Sequence, residues 1–167
     1  MTLAIRAAAV SDAAEIAAIY AHHVVHGTAT YETVPPAESV FRSKIEEIDA
    51  RGWPFLVATD AGGVAGYCYA TQFRDRPAYA GTCEDSIYID HRLTGRGLGG
   101  TLLYALMEAA KDFGFEQMIA VIGGAEPASA ALHARAGFIE AGRMRNVGRK
   151  FGRVLDTLYM QRTLAEP

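Results

Sequence analysis

Long apolar runs, clustered cysteines and a surplus of basic residues are all missing from this chain of 167 residues. No stretch approaches the ~20 consecutive apolar residues that span a bilayer, and Arg6 breaks the one N-terminal stretch that would pass for the apolar part of an export signal. The expectation is a cytoplasmic protein with no membrane partner. Cys68 and Cys83 are the only cysteines; with no Cys-x-x-Cys pair and no metal-ligand spacing they read as two buried thiols. His22, His23 and His26 resemble a metal cluster only superficially, because two are adjacent and no carboxylate completes a shell. No metal is expected. Lys and Arg number 16 against 19 Asp and Glu, a net charge of −3, so no basic field gathers nucleic acid. Any polyanion bound must be small and met locally.

What is present reads as one domain over 1–167, with half of its residues apolar. Residues 3–7 form a short strand, and Ser11 caps a helix with Asp12 in its first turn, Ile16, Ile19, Tyr20 and His23 on one face, and Gly27 at its end. After the loop GTATYETVPP, Pro36 opens a second helix with Phe41, Ile45 and Ile48 inward and Gly52 as its stop. The period then changes to that of strands: PFLVATD and VAGYCYATQF about the turn AGG make a hairpin. The polar connection RDRPAYAG leads to the strand TCEDSIYID, a helix over Leu98–Phe113 with Leu102, Leu103, Leu106, Met107 and Ala110 inward, and the strand QMIAVI. Strand, helix, strand is a crossover between parallel neighbours. A short helix over Ala128–Ala136, stopped by Gly137, precedes two closing strands, FIEAGRMRNV and VLDTLYMQRT, that flank the turn-rich GRKFG. The fold class is therefore α+β: a mixed, mostly antiparallel twisted sheet flanked by helices, with one central βαβ crossover.

Gly95-x-Gly97-x-x-Gly100 matches the dinucleotide pattern, but the strand that should end on a ribose-binding acid reads Ile119-Ala120-Val121-Ile122, and the preceding strands are antiparallel. A P-loop is excluded more firmly, since no Lys-Ser or Lys-Thr follows the glycines. What survives is the physics of the loop itself: exposed amides at a helix N-terminus worth roughly half a positive charge, and glycines that let an anion approach. The ligand should carry phosphate, and Arg92 and Arg96 would add charge-assisted bonds to it.

The run YIDHRLTGRGLGGTLL followed by EPASAALHARAGF resembles the acetyl-CoA signature of the GNAT superfamily of N-acetyltransferases. TATYETVPP, FRDRPAY, CEDSIYI, AVIGG, ALHARAGF and GRKFGRVLD resemble its phosphinothricin and methionine sulfoximine N-acetyltransferase branch, nearly end to end. The resemblance implies acetyl-CoA as co-substrate, its pyrophosphate wrapped by Gly95, Arg96, Gly97, Leu98, Gly99 and Gly100, and its pantetheine arm paired with the backbone of Ile87, Tyr88 and Ile89 as an added strand. Glu126 and Ser129 would stand beside that arm. Thr94 replaces a frequent Gln or Arg, and Glu126 a frequent Asn, where a carboxylate repels anions unless it points to solvent. A homodimer is likewise implied.

Moving acetyl from a thioester to an amine needs an unprotonated nucleophile, a place for charge on the carbonyl oxygen and a proton for the thiolate. Glu84 is placed to be the base, and it matches the carboxylate of the resembled branch; Asp85 beside it reads as a solvated strand-end carboxylate. His133 stands where the superfamily has a Tyr that protonates the thiolate, although a His on a short amphipathic helix is also a packing residue. Backbone amides near Ile87 would meet the oxyanion. Arg74 and Arg76 match a carboxylate or phosphinate fork, Tyr31 and Tyr79 would close over the acceptor, and Asp85 and Ser86 extend its wall. The acceptor is then the α-amine of a small amino-acid analogue: phosphinothricin, methionine sulfoximine or methionine sulfone. Acetylation of another amine, a non-catalytic acyl-CoA-binding module and a nucleotide-binding redox module remain as alternatives.

Overall fold

Of the expected domain over 1–167, the computed structural model describes residues 3–165. Strand β1 (Ala4–Ala7) leads through a 3-10 turn at Val10–Asp12 into helix α1 (Ala13–His26), which is followed by helix α2 (Glu38–Ala50). Strands β2 (Phe55–Asp60), β3 (Gly63–Gln72) and β4 (Thr82–Ile89) form the meander. Helix α3 (Leu98–Phe113) carries the chain over to strand β5 (Gln117–Gly123), helix α4 (Pro127–Arg135) follows, and strands β6 (Ile139–Lys150) and β7 (Arg153–Thr163) close the sheet. The seven strands lie in the order β1-β2-β3-β4-β5-β7-β6, and only the β4–β5 pair is parallel. The mixed sheet and its crossover are as the sequence implied. Among the described residues no helix is long and apolar enough to cross a membrane.

Each face of the sheet carries its own core. Leu98, Leu102, Leu103, Leu106 and Ala110 of α3 pack on Cys68, Cys83 and Met118, while Ile16 and Ile19 of α1 and Phe41, Ile45 and Ile48 of α2 pack on Phe55, Val57 and Tyr67. The period-2 alternation of β4 therefore sends its residues in opposite directions. Cys83, Ile87 and Ile89 join the α3 side, and Tyr88 packs with the α1–α2 side.

Beside one-residue shifts such as α4 at Pro127–Arg135 in place of Ala128–Ala136, three element boundaries differ from the sequence reading. Ser11 does not cap α1: Asp12 accepts the Ala9 amide at 2.8 Å and binds the Arg6 guanidinium through both oxygens at 2.8 Å. The carboxylate thus closes the 3-10 turn that starts the helix, and the Arg6 hydrogen bonds hold it below the usual carboxylate range. Helix α2 begins at Glu38 behind the extended Ala37 rather than at Pro36. Pro35 is constrained to extended backbone by the proline after it. The turn-rich GRKFG proves mostly strand, because β6 runs to Lys150 and the turn is the pair Phe151 and Gly152, with φ of 52° and 71°. Positive φ at both central residues gives the twist a two-residue hairpin needs, and a phenylalanine there is not what composition suggests.

Candidate active site

The parallel ladder of β4 with β5 runs from Thr82 opposite Gln117 to Asp85 opposite Ala120 and then stops. Beyond it, β4 stays bound to β3 as far as Ile89 opposite Gly66, whereas β5 follows β7 to Gly123 opposite Thr157. Gly123 also lies against the loop after α1, where a Cβ would meet the Ala29 carbonyl oxygen at 2.8 Å. The two strands part, and the β5-facing edge of Ser86–Ile89 is left open. A cavity of about 230 Å³ occupies the wedge, lined by Glu84, Asp85, Ser86, Ile87, Ser129 and His133 among others. A groove of about 700 Å³ continues from Ile87–Ile89 and Ser129 to Thr94, Gly95 and Gly97–Gly100. One acceptor on that edge is taken: the His23 ring donates from Nε2 to the Ile89 carbonyl at 2.8 Å.

At the far end of the groove Gly95 and Gly97 have φ of 75° and 81°, the left-handed region that glycine enters without cost. Gly97 caps α3 with no side-chain bond, and a Cβ on Gly100 would meet nothing within 4 Å. The first-turn amides precede the Thr101 bond to the Gly97 carbonyl, so they remain available to an anion. Of the two arginines expected there, Arg92 is turned back onto Asp90, with Nε 3.0 Å from Oδ1. That guanidinium, by hydrogen bonding, holds Asp90 down at about 2. Arg96 is exposed and, among the described residues, in no ion pair. Thr94 is exposed too, its hydroxyl bonded to the His91 carbonyl at 3.1 Å.

Glu126 lines the groove, but its carboxylate is engaged rather than free in solvent. Its carboxylate caps α4, Oε1 accepting from Ala128 N at 3.2 Å and Oε2 from Ser129 N at 2.8 Å. The charge is spent on the positive end of that helix. Pro127 at the first helical position, where the missing N–H costs nothing, was the sequence signal for such a cap.

Glu84 and Asp85, adjacent in sequence, face opposite ways. Asp85 is not solvated; it is 7% exposed and accepts His133 Nε2 at 2.9 Å through Oδ2, while its Oδ1 has no hydrogen-bond partner among the described residues. His133, 2% exposed, places Nδ1 2.8 Å from the Ser129 carbonyl and 3.5 Å from Ser129 Oγ. A carbonyl and a carboxylate both accept, so the ring donates from both nitrogens and is assigned as imidazolium. Burial alone would lower the His133 pKa, but the Asp85 hydrogen bond and charge and the Ser129 carbonyl leave it raised. On the other face, Glu84 keeps a side chain about one-third exposed, 3.9 Å from Arg74 Nη1. Its pKa is raised, by burial first and by Asp85, with Arg74 opposing.

Glu84 and Ser86 also line a third cavity of about 560 Å³ under α2, walled by Lys44, Tyr69, Gln72 and Asp75. Lys44, Tyr69 and Gln72 were not singled out by sequence, because each is an ordinary helix or strand residue until the two elements meet. Tyr31 lines the wedge, but its hydroxyl is engaged, donating to the Asp156 carbonyl at 2.7 Å and receiving Gly124 N at 3.1 Å. Tyr79 and Arg76 reach none of these cavities: Tyr79 packs on the edge of Phe73, and Arg76 is exposed with its carbonyl held by Gln72. Arg74 lines none of the cavities either, but the start of the same connection stays close to Glu84, with Arg74 3.9 Å from it and Asp75 on the wall of the cavity under α2. His22 stacks on His91 with centroids 3.7 Å apart.

A family model described as the acetyltransferase (GNAT) domain matches residues 5–159. The chain belongs to the GNAT acetyltransferase family. It is 46% identical over 154 residues to a phosphinothricin N-acetyltransferase of Alcaligenes faecalis, covering 92% of this chain and 78% of that one. It is 39% identical to an L-methionine sulfoximine/L-methionine sulfone acetyltransferase of Pseudomonas paraeruginosa, over 98% of this chain and 96% of that one. Among solved structures, a GNAT superfamily phosphinothricin acetyltransferase of Sinorhizobium meliloti in complex with acetyl-CoA superposes with a TM-score of 0.94 at 46% identity, covering 98% of this chain and 89% of that one.

Two consequences can be measured. Removing the α4 cap with Glu126→Ala should cost about 0.5–2 kcal/mol in urea unfolding; an unchanged midpoint would mean that the carboxylate does not cap. Removing one partner of the buried pair with Asp85→Asn should cost about 3–5 kcal/mol. Because the folded pKa of His133 is raised, the stabilisation is fully present below the unfolded value of about 6.5 and is lost as pH climbs through the folded one. The gap between wild type and Asp85→Asn should narrow from about pH 6.5 upward, and a flat gap would exclude an imidazolium.

Proposed function

We propose that this GNAT protein transfers the acetyl group of acetyl-CoA to the α-amine of a small amino-acid analogue, of the phosphinothricin, methionine sulfoximine or methionine sulfone type, by direct attack in a ternary complex. One observation carries the reading: Glu84 lies on the wall shared by the wedge, where a thioester following the groove would end, and the cavity under α2, where an acceptor would enter. The coenzyme's diphosphate meets the free amides of Gly95–Gly100, and its pantetheine arm takes the open edge of Ile87–Ile89.

Glu84 accepts a proton from the acceptor's ammonium, directly or through one water. Its raised pKa brings it nearer the neutral range in which a base is most useful. Glu84 passes that proton to solvent; the amine forms its bond to the acyl carbon and gives its second proton to Glu84, amides near Ile87 meet the oxyanion, and the C–S bond breaks. The thiolate receives the proton of the Asp85–His133 pair by way of the Ser129 hydroxyl, which lines both the wedge and the groove. Arg74, the guanidinium nearest Glu84, pairs with the acceptor's α-carboxylate.

The protein acts as a homodimer in this reading. Its support is the outer edge of β6 and the hairpin beyond, where Ile139, Met144, Val147, Phe151 and Val154 are exposed. Light scattering at micromolar concentration should give twice the 17.9 kDa chain mass; the single mass would sink the dimer. For the reaction, Glu84→Gln should lose turnover by about 10²–10⁴-fold with acetyl-CoA binding intact, and unchanged turnover would remove Glu84 as base. Thiol release should appear with methionine sulfone, methionine sulfoximine or phosphinothricin. Release with only spermidine or an aminoglycoside would overturn the acceptor assignment.

A further inference from the structure

The cavity under α2 contains a cation that, among the described residues, no carboxylate contacts directly, although Glu47, Asp75 and Glu84 stand elsewhere on its wall and Glu32 favours the charge from further off. The other basic side chain of α2, Arg42, and Arg51 at its C-cap are each paired one turn back, with Glu38 at 2.7 Å and with Glu47 at 3.5 Å. Lys44, half-buried between them, has no carboxylate within salt-bridge distance among the described residues. Its Nζ donates to the Tyr69 hydroxyl at 3.1 Å and stands 5.0 Å from the centre of the same ring. A neutral phenol satisfies one of three ammonium donors. Burial opposes the charge, yet the contact with Tyr69 keeps the Lys44 pKa raised, so the cation persists.

The strand register places this cation relative to the chemistry. Tyr69 pairs with Ser86 and Thr71 with Glu84, so Lys44 and Tyr69 stand about 7 Å along the strands from Glu84, at a rise of roughly 3.3 Å per residue. Arg74 follows the other end of β3 and approaches Glu84 from there. An α-amino acid with its amine at Glu84 and its carboxylate at Arg74 therefore extends its side chain toward Lys44.

Resting on the acceptor reading above, we infer that Lys44 is the specificity-determining residue that receives the head group at the far end of the acceptor side chain, and that it favours an anionic, tetrahedral head such as a phosphinate over an uncharged one. A phosphinate gains a charge-assisted bond in a partly desolvated cleft, whereas a sulfone gains an ordinary hydrogen bond.

The experiment compares KM for phosphinothricin and for methionine sulfone in wild type, Lys44→Met, Lys44→Gln and Lys44→Arg. Both neutral variants should raise KM for phosphinothricin about tenfold or more, raise that for methionine sulfone by about threefold or less, and leave the acetyl-CoA KM unchanged. Lys44→Arg should recover most of the phosphinothricin affinity. Equal effects on both acceptors, or none on either, would overturn the inference. If wild type acetylates neither compound, the acceptor reading itself has failed and the inference falls with it; selective failure in the variants alone tests Lys44.

Discussion

The end of the β4–β5 ladder at Asp85 and Ala120 is the constraint from which the site follows. Parallel strands normally continue side by side because each unpaired amide in the interior costs free energy. Here each strand keeps its outer partner, β3 for one and β7 for the other, and only the inner edges part. The wedge is held open from two sides. Gly123 and Gly124 press against Thr28 and Ala29, and the Tyr31 hydroxyl ties the same loop to β7. At the last ladder pair, Asp85 and His133 bind β4 to α4. An extended ligand with its own amides and carbonyls can restore the missing ladder, which is how a gap in a sheet becomes a groove.

The alternation of β4 divides the labour between two neighbouring carboxylates. Asp85 points into the α3–α4 side, where a lone charge would be prohibitively desolvated and is retained only against an imidazolium. Glu84 points to the α1–α2 side, where water and Arg74 leave it titratable. Asp85 acts on its neighbour in the expected sense, pushing the Glu84 pKa further up. A proton acceptor and a proton store thus stand one residue apart, separated by the sheet itself.

Much of this was legible in the chain. The glycine loop, the bounds of α3, its buried face and the meander were read correctly because their signals are local: periodicity, turn residues and a helix stop. Side-chain partners were less legible. Asp85 was read as solvated although strict alternation through Cys83 and Ile87 puts it on the core face, and nothing in sequence names a partner 48 residues away. Arg92 was assigned to a phosphate by charge alone, although Asp90 two residues earlier competes for it at shorter range. Arg76 was joined to Arg74 by the chemistry of a guanidinium fork and Tyr79 to Tyr31 as a pocket wall, but the 3-10 turn at Pro77–Tyr79, with Arg76 at its cap, lies outside the described cavities.

The same local competition explains why Glu126 can occupy the mouth of an anion groove. A helix N-terminus attracts either an external anion or the carboxylate of its own cap. At α4 the cap has won, so this helix offers the ligand little positive field. At α3 the cap is Gly97, which has no side chain to compete. Two helices open on one groove, and the sequence difference between their capping residues decides which of them is left to meet phosphate. The glycines at the head of α3 therefore matter as much for the side chain they withhold as for the backbone angles they permit.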